Sequence, residues 1–185
     1  MYQYRPPLGR ELTIPNGAAL TLGRAADAAR FSLRIDPQSL VAATTAFGLE
    51  LPGTIGSMVS SGGRTAICLG PDEWYLTAPP SEYEAIERGF AQLYATVIHS
   101  LVDVSHREVG FEIDGACAVL ALQSAIAFDV ESMPVGTGCR TLLDKVQIIL
   151  LREAESRFRI EVWHSFADHV WHLLQTICRE IELGT

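Results

Sequence analysis

Three histidines near the C-terminus, His164, His169 and His172, form the densest group of side chains in the chain that could bind a metal ion. A helix over this segment would place His169 and His172, three residues apart, toward one side. A metal site also needs a third ligand and a closed pocket. On the predicted helix Asp168 and His172 lie on the solvent-facing side, four residues apart, where they would pair with each other. We therefore expect solvated or helix-capping roles, and no metal.

A second group, Asp103, Ser105 and His106, contains the three side-chain types of a hydrolase triad. The members of such a triad come together from distant segments, whereas these three are almost adjacent. A nucleophilic serine also sits on a sharp Gly-x-Ser-x-Gly turn, and the sequence has no such motif. Since Asp and Ser side chains bond readily to nearby backbone, we expect Asp103 and Ser105 to hold a turn.

Gly136 and Gly138 precede Arg140, and an arginine after a glycine loop could hold a carboxylate or a phosphate. A phosphate-binding motif has a helix directly after its glycines, and none is predicted here. A turn or interface loop is the favoured interpretation. The chain also lacks the Gly-x-Gly-x-x-Gly fingerprint, so we do not expect it to hold a dinucleotide.

The composition is that of a globular chain. Of its 185 residues, 48% are hydrophobic and 19% are charged, which suits one domain or two closely packed halves. A net charge of −8 with only 14 Lys and Arg argues against a nucleic-acid partner. The mean hydropathy of +0.19 favours a buried partner surface.

Targeting and cysteine signals point to the cytoplasm. The start of the chain lacks the apolar stretch of a secretory signal, and no apolar run reaches the length of a membrane span, so we expect neither membrane nor export. The four cysteines, Cys68, Cys117, Cys139 and Cys178, include no Cys-x-x-Cys pair. They are expected to be reduced core thiols.

Three regions follow from the pattern along the chain. Residues 1–28 contain Pro6, Pro7, Gly9, Pro15 and Gly17, and predict an irregular N-terminal arm. Residues 29–104 and 105–185 form a first and a second α+β half, each approaching a βαββα order. Together they predict two ferredoxin-like halves, with helices on one side of each antiparallel sheet.

In the first half, Asp36-Pro37 starts a helix that ends near Gly48, and Ser81 with Glu84 forms a capping box for a second helix. The inward face of that helix repeats at helical spacing, with Tyr83, Ile86, Phe90, Leu93 and Val97. The strands of this half are predicted at 31–35, 65–69, 74–77 and 98–104.

In the second half, alternating side chains predict strands at 108–113 and 157–163. A further strand is predicted over 141–152, and it should be central because Val146 to Leu151 is apolar on both faces. Asp114 is expected to cap a helix over 116–128, and Ser165 with Asp168 a helix over 166–183. The inward face of this last helix is expected to be Phe166, Val170, Leu174, Ile177 and Ile181.

A resemblance to known proteins includes segments of both halves. In VDVSHREVGFEIDGACAVLALQSAIAFDV, residues 102–130, the pattern formed by Asp103, Ser105, Gly115, Leu122, Gln123 and Asp129 resembles the folate-binding aminomethyltransferases. LGPDEWYL at 69–76, CRTLLDKVQIILLRE at 139–153 and FRIEVWHSFADHVW at 158–171 resemble, within that superfamily, the gamma subunit of heterotetrameric sarcosine oxidase. These segments cover most of residues 64–172.

The resemblance implies an aminomethyltransferase-like folate-binding fold and an accessory role in the oxidative demethylation of sarcosine to glycine. It implies alpha, beta and delta subunits as partners. It places FAD, FMN, NAD, tetrahydrofolate and zinc in those partners, with no cofactor in this chain. Two alternatives remain open: the homologous subunit of N-methylglutamate dehydrogenase and a free-standing folate-binding protein.

One residue is a candidate for folate contact. In the aminomethyltransferases a catalytic Asp lies in a Gly-containing segment that leads into an apolar strand. The corresponding stretch here, residues 142–145, keeps Asp144 but lacks the glycine. Since a fold carries no activity without its site, we expect no catalytic residue in this chain.

Overall fold

The computed structural model describes residues 12–14 and 20–184, which form two compact units. Described residues 27–106 and 136–139 belong to the unit that we call the five-stranded unit. Residues 12–14, 20–26, 107–135 and 140–184 belong to the other, the six-stranded unit. The proline and glycine positions 6, 7, 9, 15 and 17 lie outside the described residues.

The five-stranded unit contains strands and two helices in the order β3, α1, β4, β5, β6, α2, β7. Their bounds are β3 Ala29–Ile35, α1 Leu40–Phe47, β4 Met58–Ser61, β5 Arg64–Gly70, β6 Glu73–Ala78, α2 Tyr83–Leu93 and β7 His99–Asp103. Short 3-10 turns, Pro37–Ser39 and Pro80–Glu82, lead into the two helices. The spatial order is β4-β5-β6-β3-β7, and all neighbours are antiparallel.

The core of this unit lies between the sheet and its helices. Alternate residues of β3, among them Phe31 and Leu33, are buried there with Phe47 of α1 and with Ile86 and Phe90 of α2. The predicted start of the first helix is confirmed, because the Asp36 carboxylate accepts the Gln38 N–H at 2.9 Å. Its end is confirmed as well, since Gly48 closes α1 with a φ of +72°.

The sheet and helices of the six-stranded unit are β1 Leu12–Ile14, β2 Leu20–Arg24, β8 Glu108–Gly115, α3 Ala118–Gln123, β9 Thr137–Leu143, β10 Val146–Arg152, β11 Arg157–Trp163 and α4 His164–Leu183. The first three residues of β9 are counted with the five-stranded unit. The order in its sheet is β1-β2-β8-β11-β10-β9. β8 pairs antiparallel with both β2 and β11. Its core joins Leu22 and Phe111 from the sheet with Leu122, Trp171 and Leu174 from the helices.

The two sheets share one plan. In each, the strand that precedes the first helix lies inside the sheet, beside the strand that precedes the second helix. β7, the last strand of the five-stranded unit, takes the other flank of β3, and β2 takes that place beside β8. The prediction of an α+β fold with ferredoxin-like antiparallel sheets is confirmed, and β2 supplies from upstream the strand that the second half lacks.

Several local predictions are wrong. β1 and β2 lie within residues 1–28, for which the proline-rich pattern predicts an irregular arm, and β4 lies before β5 at residues where no strand is predicted. The predicted strand 141–152 is two strands, which turn at Asp144 with a φ of +53°. The sequence pattern hides the turn because apolar residues lie on both sides of Asp144 and Lys145.

The predicted helix caps in three places do not form. Asp114 lies inside β8, where its carboxylate accepts the Ser156 hydroxyl at 3.0 Å, and α3 is limited to Ala118–Gln123. Neither α2 nor α4 has a side-chain cap, so the roles predicted for Ser81 and Ser165 are wrong. Phe166 is 45% exposed, and the buried face of α4 instead includes Ala167 and Trp171, whose ring lies 5.3 Å from that of Phe111.

Candidate functional site

Asp144 lies at the turn between β9 and β10 and has a left-handed backbone, which Asp tolerates better than most residues. Its N–H donates to the Ala125 carbonyl oxygen at 2.7 Å. This bond fixes the turn against the segment that follows α3. The candidate for folate contact therefore lies at the end of a tight hairpin.

The Asp144 carboxylate has two cationic or titratable neighbours. Its Oδ2 lies 3.1 Å from Nε2 of His169 on α4 and 4.0 Å from Nζ of Lys145. The Asp144 and His169 side chains are 46% and 40% exposed. An aspartate that orients an imidazole is the arrangement of a general base, but proton transfer needs a bound substrate within hydrogen-bond reach. In this geometry the pair links the hairpin to α4.

The three histidines do not converge. His172 Nδ1 lies 2.7 Å from the Asp168 carbonyl oxygen, so the expected pairing of the two side chains is wrong, although both residues are exposed as predicted. The backbone N–H of His164 donates to the Arg107 carbonyl oxygen at 2.7 Å. Within residues 12–14 and 20–184, no three His, Cys, Asp or Glu side chains are placed to hold a metal ion.

The expected turn at Asp103 and Ser105 is confirmed. Asp103 Oδ1 accepts the backbone N–H of Ser105 at 2.9 Å and its hydroxyl at 2.6 Å. The Ser105 hydroxyl oxygen in turn accepts the Arg30 N–H at 2.9 Å. The serine thus donates to an aspartate and serves the backbone.

The glycine loop before Arg140 is hydrogen-bonded as a strand. The Gly138 N–H donates to the Gly56 carbonyl oxygen at 2.9 Å, and the Gly136 carbonyl oxygen accepts the Met58 N–H at 3.0 Å. Gly138 is buried and Arg140 is exposed. With its N–H already bonded, Gly138 has no donor to offer an anion.

All four cysteines are free thiols. Burial raises the pKa of Cys68 and Cys139, and raises the pKa of Cys178 to about 11. A thiol with a raised pKa is protonated at neutral pH and is a poor nucleophile.

A groove that the sequence did not predict lies between α2 and β7 in the five-stranded unit. It has a volume of about 460 Å³ and is lined by Glu87, Phe90, Ala91, Tyr94, His99, Ser100 and Leu101. The His99 ring lies between two aromatic rings, with centroids 5.5 Å from Phe90 and 5.4 Å from Tyr94. The helical spacing of apolar residues predicts that Phe90 is buried in the core. It does not predict that β7 lies at the edge of the sheet, which is what leaves the groove open.

The fold assigns the chain to a class. The crystal structure of the glycine cleavage system aminomethyltransferase T from Bartonella henselae matches with a TM-score of 0.65 and 13% identity, over 83% of this chain and 44% of that chain. This likeness shows the fold alone, the aminomethyltransferase-like α+β fold. No helix of the described part of the chain has both the length and the apolar character to cross a membrane.

The chain belongs to the sarcosine oxidase, gamma subunit family, whose model matches residues 32–180. A chain of the heterotetrameric sarcosine oxidase from Corynebacterium sp. U-96, in complex with pyrrole 2-carboxylate, matches with a TM-score of 0.82 and 25% identity. The match covers 92% of this chain and 89% of that chain. A comparison with curated protein sequences found no match.

Proposed function

We propose that this chain is the gamma subunit of a heterotetrameric sarcosine oxidase and has an accessory, non-catalytic role in converting sarcosine to glycine. The observation that carries the proposal is the match to a chain of the Corynebacterium enzyme over 92% of this chain and 89% of that one. At this coverage the two chains correspond along nearly their whole length. The aminomethyltransferase match, by contrast, covers only 44% of the enzyme chain.

The geometry around Asp144 supports an accessory role. The carboxylate is partly exposed and paired with His169, and the hairpin replaces the Gly-containing segment of the folate enzymes. The Ser105 hydroxyl and the Gly138 N–H, which belong to the other chemical candidates, are engaged within the fold.

The partners in this proposal are the alpha, beta and delta subunits, and they carry FAD, FMN, NAD, tetrahydrofolate and zinc. The whole assembly is the oxidoreductase and acts in the cytoplasm. Neither comparison favours the subunit of N-methylglutamate dehydrogenase as the alternative.

Co-expression tests the proposal. A tagged copy of this chain, produced together with the alpha, beta and delta subunits of the same genome, should recover all three and oxidise sarcosine. The chain alone should be colourless and inactive with sarcosine. A chain that recovers none of them, or that keeps a flavin spectrum of its own after dialysis, would contradict the proposal.

Titration with tetrahydrofolate separates the folate-binding alternative. The isolated chain should give no binding signal. Binding that is present in the wild type and lost in Asp144→Asn, with the fold intact by circular dichroism, would favour the free-standing folate-binding protein instead.

A further inference from the structure

β7, residues His99–Asp103, is an edge strand, since among the described residues it pairs only with β3. An edge strand presents unpaired backbone N–H and C=O groups and can accept another strand. In the six-stranded unit, the strand in the corresponding place, β2, is itself covered by β1. The chain thus adds a strand to one of the two equivalent edges and leaves the other open in its described part.

The register shows which backbone groups point outward. Val104 donates its N–H to the Arg30 carbonyl oxygen at 2.9 Å, and Val102 and Ser100 lie opposite Ser32 and Arg34. In an antiparallel pair, hydrogen-bonded positions alternate along the strand. The N–H and C=O groups of His99, Leu101 and Asp103 therefore point away from β3.

A groove with a defined character runs beside this edge. Its floor is the aromatic group of Phe90, His99 and Tyr94. On the other face of β7, Ile98 is 90% exposed and Val102 is 49% exposed. Apolar side chains thus flank the open backbone on both sides, which favours an occupant with apolar residues of its own.

One end of the groove is acidic. The Tyr83 hydroxyl donates to Glu87 at 3.3 Å. Burial and the nearby carboxylates of Asp103 and Glu87 raise the pKa of Tyr83, so both carboxylates lie close to its hydroxyl. Among the described residues neither carboxylate forms an ion pair with a Lys or Arg. A basic side chain would complement this end.

We propose that β7 and the groove beside α2 are the docking site for an extended segment of a partner subunit, which adds as a strand to β7 and carries apolar residues over Phe90 and Tyr94 and a Lys or Arg toward Glu87 and Asp103. Strand addition beside a helix is an established mode of peptide recognition, in which the main chain gives affinity and the groove gives specificity. The formal net charge of −8 opposes a second copy of this chain as the occupant. The inference rests on the proposed function, because it needs a partner subunit.

Residue-resolved amide exchange on the wild type tests the strand directly. The amides of His99, Leu101 and Asp103 should exchange more slowly in the assembled oxidase than in the free chain. Equal exchange in the two states would overturn the docking site while leaving the proposed function intact. Failure of the chain to join the other subunits at all would overturn the proposed function first.

Proline at Leu101 tests the main-chain contribution. Leu101→Pro removes an outward N–H without breaking a bond to β3 and should weaken assembly by about tenfold or more relative to Leu101→Ala, which keeps the N–H. Ser60→Pro is the matched control, because Ser60 lies on β4 at the opposite edge of the sheet. The Cys68 N–H donates to the Ser57 carbonyl oxygen, so the N–H of Ser60, three residues further along, points away from β5. Equal affinity for Leu101→Pro and Leu101→Ala would overturn the strand addition.

Charge reversal tests the acidic end. Glu87→Lys should weaken assembly, and the loss should shrink as salt is raised, whereas Glu50→Lys, an exposed carboxylate in the same unit, should leave assembly unchanged. Equal effects of the two substitutions would contradict a basic residue at this end. Dimerisation of the free chain with slowed exchange at His99, Leu101 and Asp103 would overturn the proposal in favour of a second copy.

Discussion

In the five-stranded unit two helices, α1 and α2, pack on each other over the sheet, and Gly89 of α2 lies against the Ala46 backbone. In the six-stranded unit the helix that corresponds to α1 is α3, which has only six residues and is followed by an irregular segment before β9. The same strand plan is thus covered in two ways. Both units have contacts between their helices, but in the six-stranded unit non-helical chain takes part of the place of the first helix, and its backbone groups need partners.

Arg152 supplies those partners in the six-stranded unit. Its buried guanidinium donates to the carbonyl oxygens of Glu131 at 2.8 Å and Met133 at 2.6 Å, and of Glu155 at 2.8 Å. It also lies over the Phe158 ring, 5.2 Å from the centroid. A buried cation can therefore hold non-helical chain in place when it satisfies several carbonyl groups at once, and its loss leaves all of them without that partner.

The largest effect is expected from Arg152→Met, which keeps the length of the side chain and removes its donors. The free energy of unfolding should fall by about 3–5 kcal/mol, because the carbonyl oxygens of Glu131, Met133 and Glu155 all lose the buried guanidinium as a partner. Arg157→Met is the control, since Arg157 is 45% exposed and its ion pairs with Glu112 and Glu153 should be worth at most about 1 kcal/mol. If denaturant titrations gave equal losses of unfolding free energy for Arg152→Met and Arg157→Met, the buried guanidinium would not have the special role in the six-stranded unit that we assign to it.

Gly89→Ala tests the helix contact of the five-stranded unit. A Cβ at this position would lie 2.9 Å from the Ala46 carbonyl oxygen, so the helices must separate. We expect a loss of about 2 kcal/mol despite the better helix propensity of Ala. Gly53→Ala, whose Cβ would meet only Leu40 Cδ1 at 4.0 Å, should change stability by less than about 0.5 kcal/mol. Similar values for both would show that the contact is loose.

Two helix ends give a matched comparison between the units. Gly48 ends α1 and Gly184 ends α4, both with a φ of +72°. A Cβ at Gly48 would strike the guanidinium of Arg64, which bonds the Phe47 carbonyl oxygen and Glu82, whereas a Cβ at Gly184 meets nothing. Gly48→Ala should therefore cost about 1 kcal/mol more than Gly184→Ala, where only the left-handed backbone is penalised. Equal midpoint shifts in thermal unfolding would mean that Arg64 moves aside freely.

Parts of both units could be predicted from the sequence, and other parts could not. Strands with clear alternation were predicted well, such as 108–113 and 157–163, because one face meets the core and the other does not. The hairpin at Asp144 was missed because residues 141–152 were interpreted as one strand, although Asp144 and Lys145 interrupt the apolar residues there. The pairing of β2 with β8 depends on residues far apart in the chain, and local patterns carry no information on it.

In the candidate site, too, local contacts could be predicted from the sequence and contacts between distant segments could not. The turn at Asp103 and Ser105 could be predicted, since its bonds are local. The contacts of Asp144 with His169 and of Arg152 with the carbonyl groups of Glu131 and Met133 join segments distant in sequence, and only the tertiary structure shows them. The predicted caps failed for a related reason: Asp114 is drawn into β8, where Ser156 donates to it. The sequence pattern predicts a helix that begins directly after Asp114, whereas in the structure Asp114 is part of strand β8 and the helix begins at Ala118.

The smallest effect concerns the charged face of the sheet in the six-stranded unit. Burial raises the pKa of Glu153, an effect that Glu112 and Glu161 reinforce and that Arg159 and Arg157 only partly offset. The folded chain therefore holds a proton on Glu153 more tightly than the unfolded chain, so stability should fall as pH rises above the ordinary carboxyl value of 4.5. Glu153→Gln removes this loss and should be more stable than the wild type at neutral pH, by less than about 1 kcal/mol because the ion pair with Arg157 is also removed. Below the ordinary value both chains are neutral at this position and the difference should vanish. Denaturant titrations across this pH range measure it, and a Gln variant that is less stable at neutral pH would show that the pair with Arg157 outweighs the burial of the charge.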